Sequence, residues 1–228
     1  MPSNWSSFWK KPNDAFNRVM KVATDFFYRQ LTRKYPIKKE DTILDYGCGP
    51  AFLVSNFVAS GIDVTGADIN EHFLQQNRIK FPGVEFVQLS GEPNFTFKKQ
   101  FNFIILLSIV QYFNSLQDVE DVVNLLKKYL KPGGKIIIAD VLDENTSSAK
   151  DAVGIFLQCI RSGKVVAFAR FILYLMLSEY RQTSKNNKLL LLSSDFMRQM
   201  AEKNFLKLEI VKDMTPHPTR NNYILSVS

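Results

Sequence analysis

Two short acidic strand ends, 23 residues apart, carry most of the chemistry in this chain. The first lies in Thr42–Val54, TILDYGCGPAFLV. Its apolar run ends at Asp45, a turn of Gly47, Cys48, Gly49 and Pro50 follows, and helix-forming apolar residues come next. A strand, a turn without bulky side chains and a helix make the first half of a nucleotide-binding βαβ unit. Gly47 and Gly49 let backbone pass a ligand where a Cβ would collide. The second acid, Asp68, ends Ile62–Asp68. An acid at the end of a second strand can accept both hydroxyl hydrogens of a ribose, so the pair predicts a nucleoside site. A pyrophosphate needs a further small residue for close approach to the helix, and position 52 is Phe. That speaks against a nicotinamide dehydrogenase.

The elements that must hold these residues alternate. Strands are expected at Thr42–Asp45, Asp63–Asp68, Glu85–Leu89, Phe103–Leu107 and Lys135–Asp140. Helices are expected at Ala51–Ser60, Glu71–Lys80 and Asp118–Leu130, with Pro132-Gly133-Gly134 as a turn. Such alternation implies a parallel sheet. Asn13–Tyr35 has apolar residues at helical spacing and ends at Pro36. Asp151–Arg161 and Lys164–Arg181 are expected as two apolar helices, and Ser193–Asn204 as a helix with Ser194 or Asp195 near its cap. Leu206–Asp213 and Asn222–Val227 are the last expected strands. Trp5, Phe8 and Trp9 either pin an N-terminal arm to the core or fold over a ligand.

In this order the motifs resemble those of class I S-adenosylmethionine-dependent methyltransferases over Thr42–Val141. ILDYGCGP resembles the first motif, VTGADIN the second, VEFVQLSGE the third strand and its turn, FNFIILLSIVQYF the fourth strand, and LLKKYLKPGGKIIIADV the fifth. The resemblance implies an α/β Rossmann-like seven-stranded sheet, mostly parallel with an antiparallel last strand, and a helical lid at residues 144–192. It implies one domain over residues 1–228, with residues 1–40 as a helical arm, 41–143 as the cofactor core and 193–228 as the last helix and strand hairpin. S-adenosyl-L-methionine is the cofactor it implies. The residues assigned to it are Asp45, Gly47, Cys48, Gly49, Asp68, Ile69, Gly91, Glu92, Leu107 and Ser108. Asp45 would meet the ammonium group and Asp68 the ribose. Ile69 would cover the adenine, and Glu92 after Gly91 would meet its amino group. Glu92 stands where the family usually has Asp, and Asn102 where Asp is common. We read Asn102 as structural.

Methyl transfer from a sulfonium needs alignment, exclusion of water and a place for any proton released. His217, in the stiff loop Thr215–Arg220, is the candidate base, because histidine ordinarily titrates near neutrality. Tyr112 is the second candidate, for contact with cofactor or substrate. An exposed loop histidine and a core tyrosine are the plainer readings of the two. Asp140, at a strand end, either faces the substrate or starts a turn. The amine-clamping motif of two prolines and an aromatic is missing where Leu107-Ser108-Ile109-Val110 stands, and no Pro-Cys nucleophile occurs. The expected reaction is therefore methylation, most simply at oxygen, of a small, largely apolar metabolite. A lipid-like or quinone acceptor at a membrane surface is one alternative, and a non-catalytic cofactor-binding protein another.

Composition sets outer bounds. The 228 residues are 46% hydrophobic and 22% charged, which suits one globular unit. Net charge is +7. Residues 1–40 hold nine Lys/Arg against three Asp/Glu, residues 41–143 eight against twelve, and residues 144–228 twelve against seven. Solvated helical faces account for the basic flanks; alternatively these cap the cleft and attract an anionic substrate or a membrane surface. No nucleic-acid-binding motif is present, so nucleic acid is not an expected partner. Two histidines far apart predict no metal site, and two cysteines predict no structural disulfide. The N-terminus lacks a signal-peptide apolar region and the longest apolar run is Phe171–Leu177, so a soluble cytoplasmic protein, at most peripheral to a membrane, is expected.

Overall fold

The computed structural model describes residues 14–90, 95–177 and 188–227. Its centre is a seven-stranded sheet in the order β3-β2-β1-β4-β5-β7-β6. The strands are β1 Thr42–Tyr46, β2 Asp63–Asp68, β3 Glu85–Gln88, β4 Phe101–Leu107, β5 Leu130–Val141, β6 Leu206–Val211 and β7 Asn221–Val227. The first five run parallel, and β7 pairs antiparallel with both β5 and β6. This is the expected Rossmann-like sheet. Strand order reverses direction between β1 and β4, and a cleft opens beyond the carboxyl ends of strands at such a point.

Alternate residues of the central strands feed two cores. Leu44, Ile104, Leu106, Ile136 and Ile138 face α4 (Leu116–Lys127) and α7 (Ser194–Lys203). Ile43, Ile105 and Ile137 face α1 (Asp14–Lys34), α2 (Phe52–Ala59) and α3 (Glu71–Lys80). Both faces are covered, so the strands read as near-continuous apolar runs. Phe57 of α2 is fully buried, worth about 1.5–3 kcal/mol, and Tyr28 of α1 meets its ring edge-on at 5.2 Å. Two further helices, α5 (Ser148–Arg161) and α6 (Val165–Leu177), follow β5. They pack on α1 through Val19, Val22, Ile155, Cys159, Phe168 and Phe171.

Several boundaries differ from expectation for local reasons. The helix expected to reach Leu130 ends at Lys127, and Leu130 instead pairs with Phe101. β5 thus runs through Pro132-Gly133-Gly134, with a register irregularity opposite Phe101 and Phe103. The α7 cap is Ser193, whose Oγ accepts from Phe196 N at 3.1 Å, rather than Ser194 or Asp195. Asn102 is structural, as read: its Oδ1 accepts from Thr42 N, Thr42 Oγ1 and Lys131 Nζ, tying three strands together. Trp5, Phe8, Trp9, Gly91 and Glu92 lie outside the described residues.

Candidate active site

The β1 turn is shaped by backbone bonds. Gly47 N and Cys48 N both donate to Ala67 O, at 2.7 and 3.0 Å, which fastens the turn to β2. Gly47 has φ +84°, and a Cβ there would stand 2.7 Å from Ile109 Cγ2. Gly49 has φ +47° with open space where a Cβ would project. One position is glycine because of packing and the other keeps a wall clear. Both conformations are ones that residues with a Cβ seldom adopt.

Asp68 braces the same turn. Its Oδ2 accepts from Gly49 N at 2.7 Å and its Oδ1 from Asn70 N at 2.8 Å. Asn70 in turn caps α3 by accepting from His72 N. Burial raises the Asp68 carboxyl, and backbone N–H groups of Asn70, Gly49 and Ile69 partly reverse that. Asp45 is shifted in the same direction. Burial, and then the neighbouring Asp68, push it up to about 8. Among the described residues neither acid has a cationic side chain at ion-pair distance.

These residues border a cavity of about 570 Å³, within the range of about 300–1,000 Å³ usual for small-molecule sites. Asp45, Gly47, Cys48, Gly49, Asp68, Ile69, Leu107, Ser108 and Tyr112 all line it. Sequence reasoning therefore placed nine described residues on one wall. It missed the roof. Phe16, Asn17, Met20 and Thr24 of α1 also line the cavity, while α5 and α6 supply none of its described lining. Of the segment expected as a lid, residues 178–187 lie outside the described residues, and α5 and α6 pack behind α1, with Phe171 against Phe16 at 5.7 Å between ring centroids. The fourfold spacing of Phe16, Met20 and Thr24 was visible in sequence, but reads equally well as core.

His217 does not line the cavity. It stands behind it, half-buried, with Nδ1 2.7 Å from Asp140 Oδ1. The other carboxylate oxygen accepts from Ser108 Oγ at 2.6 Å, and Ser108 is on the cavity wall. Arg220 Nη1 approaches the same oxygen at 3.8 Å. Asp140 and Ser108 both have left-handed backbone, φ 64° and 57°, a conformation uncommon for residues with a Cβ. Burial alone would raise Asp140. The His217 imidazole, Arg220 and the Ser108 hydroxyl more than reverse this and hold its carboxyl well below the usual range. Asp151 of α5 completes the network: Arg220 Nε donates to its Oδ2 at 2.6 Å, and Thr219 N and Oγ1 donate to its Oδ1. Arg220 and Asp151 went unremarked in the sequence because their meeting spans 69 residues.

Comparison with known proteins agrees with this geometry. Residues 17–203 match the family described as "Methyltransferase domain". A malonyl-[acyl-carrier protein] O-methyltransferase of Enterobacter lignolyticus is 30% identical over 118 residues, covering 50% of this chain and 46% of that protein. A ubiquinone biosynthesis O-methyltransferase of Erwinia tasmaniensis is 27% identical over 111 residues, covering 46% and 44%. The chain thus spans about half the length of the curated relatives it matches. A solved S-adenosylmethionine-dependent methyltransferase from Clostridium acetobutylicum superposes with a TM-score of 0.61 at 12% identity, covering 91% and 92% of the two chains, which is a likeness of fold. The chain belongs to the methyltransferase-domain family, with the class I fold. S-adenosylmethionine is the cofactor of that class, and the residues present fit it. Asp45 is a buried acid lacking a described cation, Asp68 borders the cavity beside it, and Gly49 leaves the wall open.

Proposed function

We propose that this protein transfers a methyl group from S-adenosylmethionine to the oxygen of a small, largely apolar acceptor. The observation that carries the reading is the two-part lining of the cavity. Acidic strand ends, Asp45 and Asp68, stand beside an apolar wall of Phe16, Met20, Phe52, Ile109 and Phe73. The bound cofactor supplies an already activated methyl group. The chain supplies the rest. Asp45 meets the ammonium group and Asp68 the ribose hydroxyls. Phe16 and Met20 keep water from the acceptor, and Ser108 and Tyr112 face it.

Oxygen is favoured by two supports. Both relatives described above are O-methyltransferases by name. The chain also holds an imidazole–carboxylate pair, His217 with Asp140, joined to the cavity by the Ser108 hydroxyl. We assign proton acceptance to that pair through Ser108: the Ser108 oxygen takes the acceptor's proton as its own proton passes to Asp140, and His217 holds that carboxylate from behind. We also read residues 1–228 as one methyltransferase domain with residues 144–192 as a helical lid insertion, of which α5 and α6 pack on α1.

The test is turnover. The protein is incubated with S-adenosylmethionine and matched sets of apolar phenols, carboxylic acids and amines, and S-adenosylhomocysteine is quantified. Transfer to hydroxyl or carboxyl acceptors is expected. Transfer to amines alone would overturn the assignment to oxygen. Cofactor binding without turnover on any acceptor would favour a binding protein.

A further inference from the structure

The outward faces of α5 and α6 expose apolar side chains that the methyl-transfer site does not use. Val153, Leu157 and Ile160 are exposed on α5, and Val165, Val166 and Leu173 on α6. Val166 is 67% exposed and Leu173 57%. Their spacings of four and three residues along α5 place Val153, Leu157 and Ile160 on adjoining parts of one helical face. Monomeric soluble proteins scatter such residues singly, and these two successive helices carry six of them.

The exposed charges of the two helices and the turn between them share one sign. Lys150, Arg161, Lys164 and Arg170 are all exposed. The only acid of the two helices is Asp151, which is 3% exposed and bonded to Thr219 and Arg220. A surface that offers aliphatic groups and four exposed cations, against Asp213 as the one exposed acid bordering the groove of Val153 and Leu157, complements an anionic lipid surface. A partner protein surface of mixed charge would not be matched by it. No helix among the described residues is long and apolar enough to cross a membrane, so the contact would be interfacial.

We propose that the outer α5–α6 face docks on an anionic lipid bilayer. The docking connects to the cavity through one helix. Val166 and Leu173 of α6 face out, while Phe168 and Phe171 pack inward on α1. Phe171 meets Phe16, and Phe16 is on the cavity wall. Docking therefore sets α6, which backs the cavity roof, on the leaflet, and the acceptor is an amphiphile drawn from that leaflet. This last clause rests on the methyl-transfer reading; the docking does not.

The experiment is vesicle flotation with the full chain, using phosphatidylcholine vesicles with and without phosphatidylserine. Wild type should float with the anionic vesicles and at least about tenfold less with neutral ones, and added salt should release it. The double variant Val166→Glu/Leu173→Glu and the charge reversal Arg161→Glu/Lys164→Glu should both lose flotation. Both should keep S-adenosylhomocysteine affinity, which shows that they fold. Wild-type flotation that is absent, or indifferent to phosphatidylserine, would overturn the proposal. So would variants that float as wild type does. A wild-type dimer that the Val166→Glu/Leu173→Glu variant splits into monomers would give the face to a second copy of the chain instead. With a phenol dissolved in the vesicles, kcat/KM should fall in the variants and stay unchanged for a water-soluble phenol. Equal values for both would overturn delivery from the leaflet. Absence of any turnover would strike the methyl-transfer reading and leave the flotation result standing.

Discussion

Asp140 grips His217 at 2.7 Å across 77 residues of sequence, and the same carboxylate takes the Ser108 hydroxyl with its second oxygen. A loop histidine is thereby fixed against the floor of the cofactor cavity. It lies one carboxylate away from the wall, so its role is read through proton movement and not through contact with the cofactor.

Replacing either partner should separate chemistry from binding. His217→Ala and His217→Gln should lower kcat by about 10²–10⁴, the usual worth of general-base help, and leave S-adenosylhomocysteine affinity alone. Asp140→Asn should lower kcat in the same way and also destabilise the fold. The folded Asp140 carboxyl lies below its unfolded range, so the unfolded chain binds the extra proton. The stabilisation is therefore complete above about pH 4 and is lost as pH falls further. Asp140→Asn should melt lower at neutral pH and lose less on acidification. Full activity in the His217 variants would make the pair a structural clamp.

Asp45 works with the opposite sign. Its folded carboxyl sits at about 8, above the roughly 4 of an unfolded chain, so the folded protein holds a proton the unfolded chain releases. Ligand-free stability should fall as pH rises from about 4 towards about 8. An ammonium group beside Asp45 favours the carboxylate and expels that proton. Calorimetric titrations of S-adenosylhomocysteine near neutrality should thus show proton release, seen as an enthalpy that changes with the ionisation heat of the buffer. Asp45→Asn should abolish the release. Buffer-independent enthalpy in the wild type would place the ligand cation elsewhere.

Local patterns made much of this molecule legible. Each buried strand is a short apolar run bounded by turn residues, and the strand–glycine–helix unit puts Asp45, Gly47 and Gly49 beside a ligand within one stretch of chain. Asp68 followed because parallel neighbours end at the same edge of a sheet. The start of β5 was obscured because Pro132-Gly133-Gly134 looks like a turn, while pairing of Leu130 with Phe101 keeps it in the sheet. The roof was hidden for another reason. The periodicity of α1 shows that it has an apolar face, but not that Phe16 and Met20 meet a cavity while Val19 and Val22 meet α5 and α6. The Asp140 network joins β5, α5 and the His217 loop, which are distant in sequence, so no spacing announces it.

Asp68→Ala should cost both affinity and stability. The carboxylate holds Gly49 N and Asn70 N, so its loss frees the turn as well as the ribose site. Charge-assisted bonds of this kind are worth roughly 1.5–3 kcal/mol each. S-adenosylhomocysteine affinity should fall at least about tenfold, and the melting temperature should fall with it. Wild-type affinity in the folded variant would mean that the ligand does not use this acid.

Gly154 tests whether α5 matters to the chemistry it does not touch. A Cβ there would stand 2.1 Å from Pro216 O and 2.7 Å from Pro218 Cδ, the residues on either side of His217. The first of these is backbone, so the clash is relieved only by moving the helix or the loop. Gly154→Ala should cost about 1–3 kcal/mol as overpacking, read as a lower melting temperature. The displaced loop should also loosen the His217–Asp140 contact. Asp151→Ala pulls the same loop free in a different way, by removing the acceptor of Thr219 and Arg220. Both variants should lower kcat while S-adenosylhomocysteine affinity stays at the wild-type value, because the glycine turn and both cofactor acids lie on other elements. A drop in melting temperature with kcat unchanged would confine α5 to structural support. A parallel fall in cofactor affinity would mean that α5 acts instead through α1 and the cavity roof.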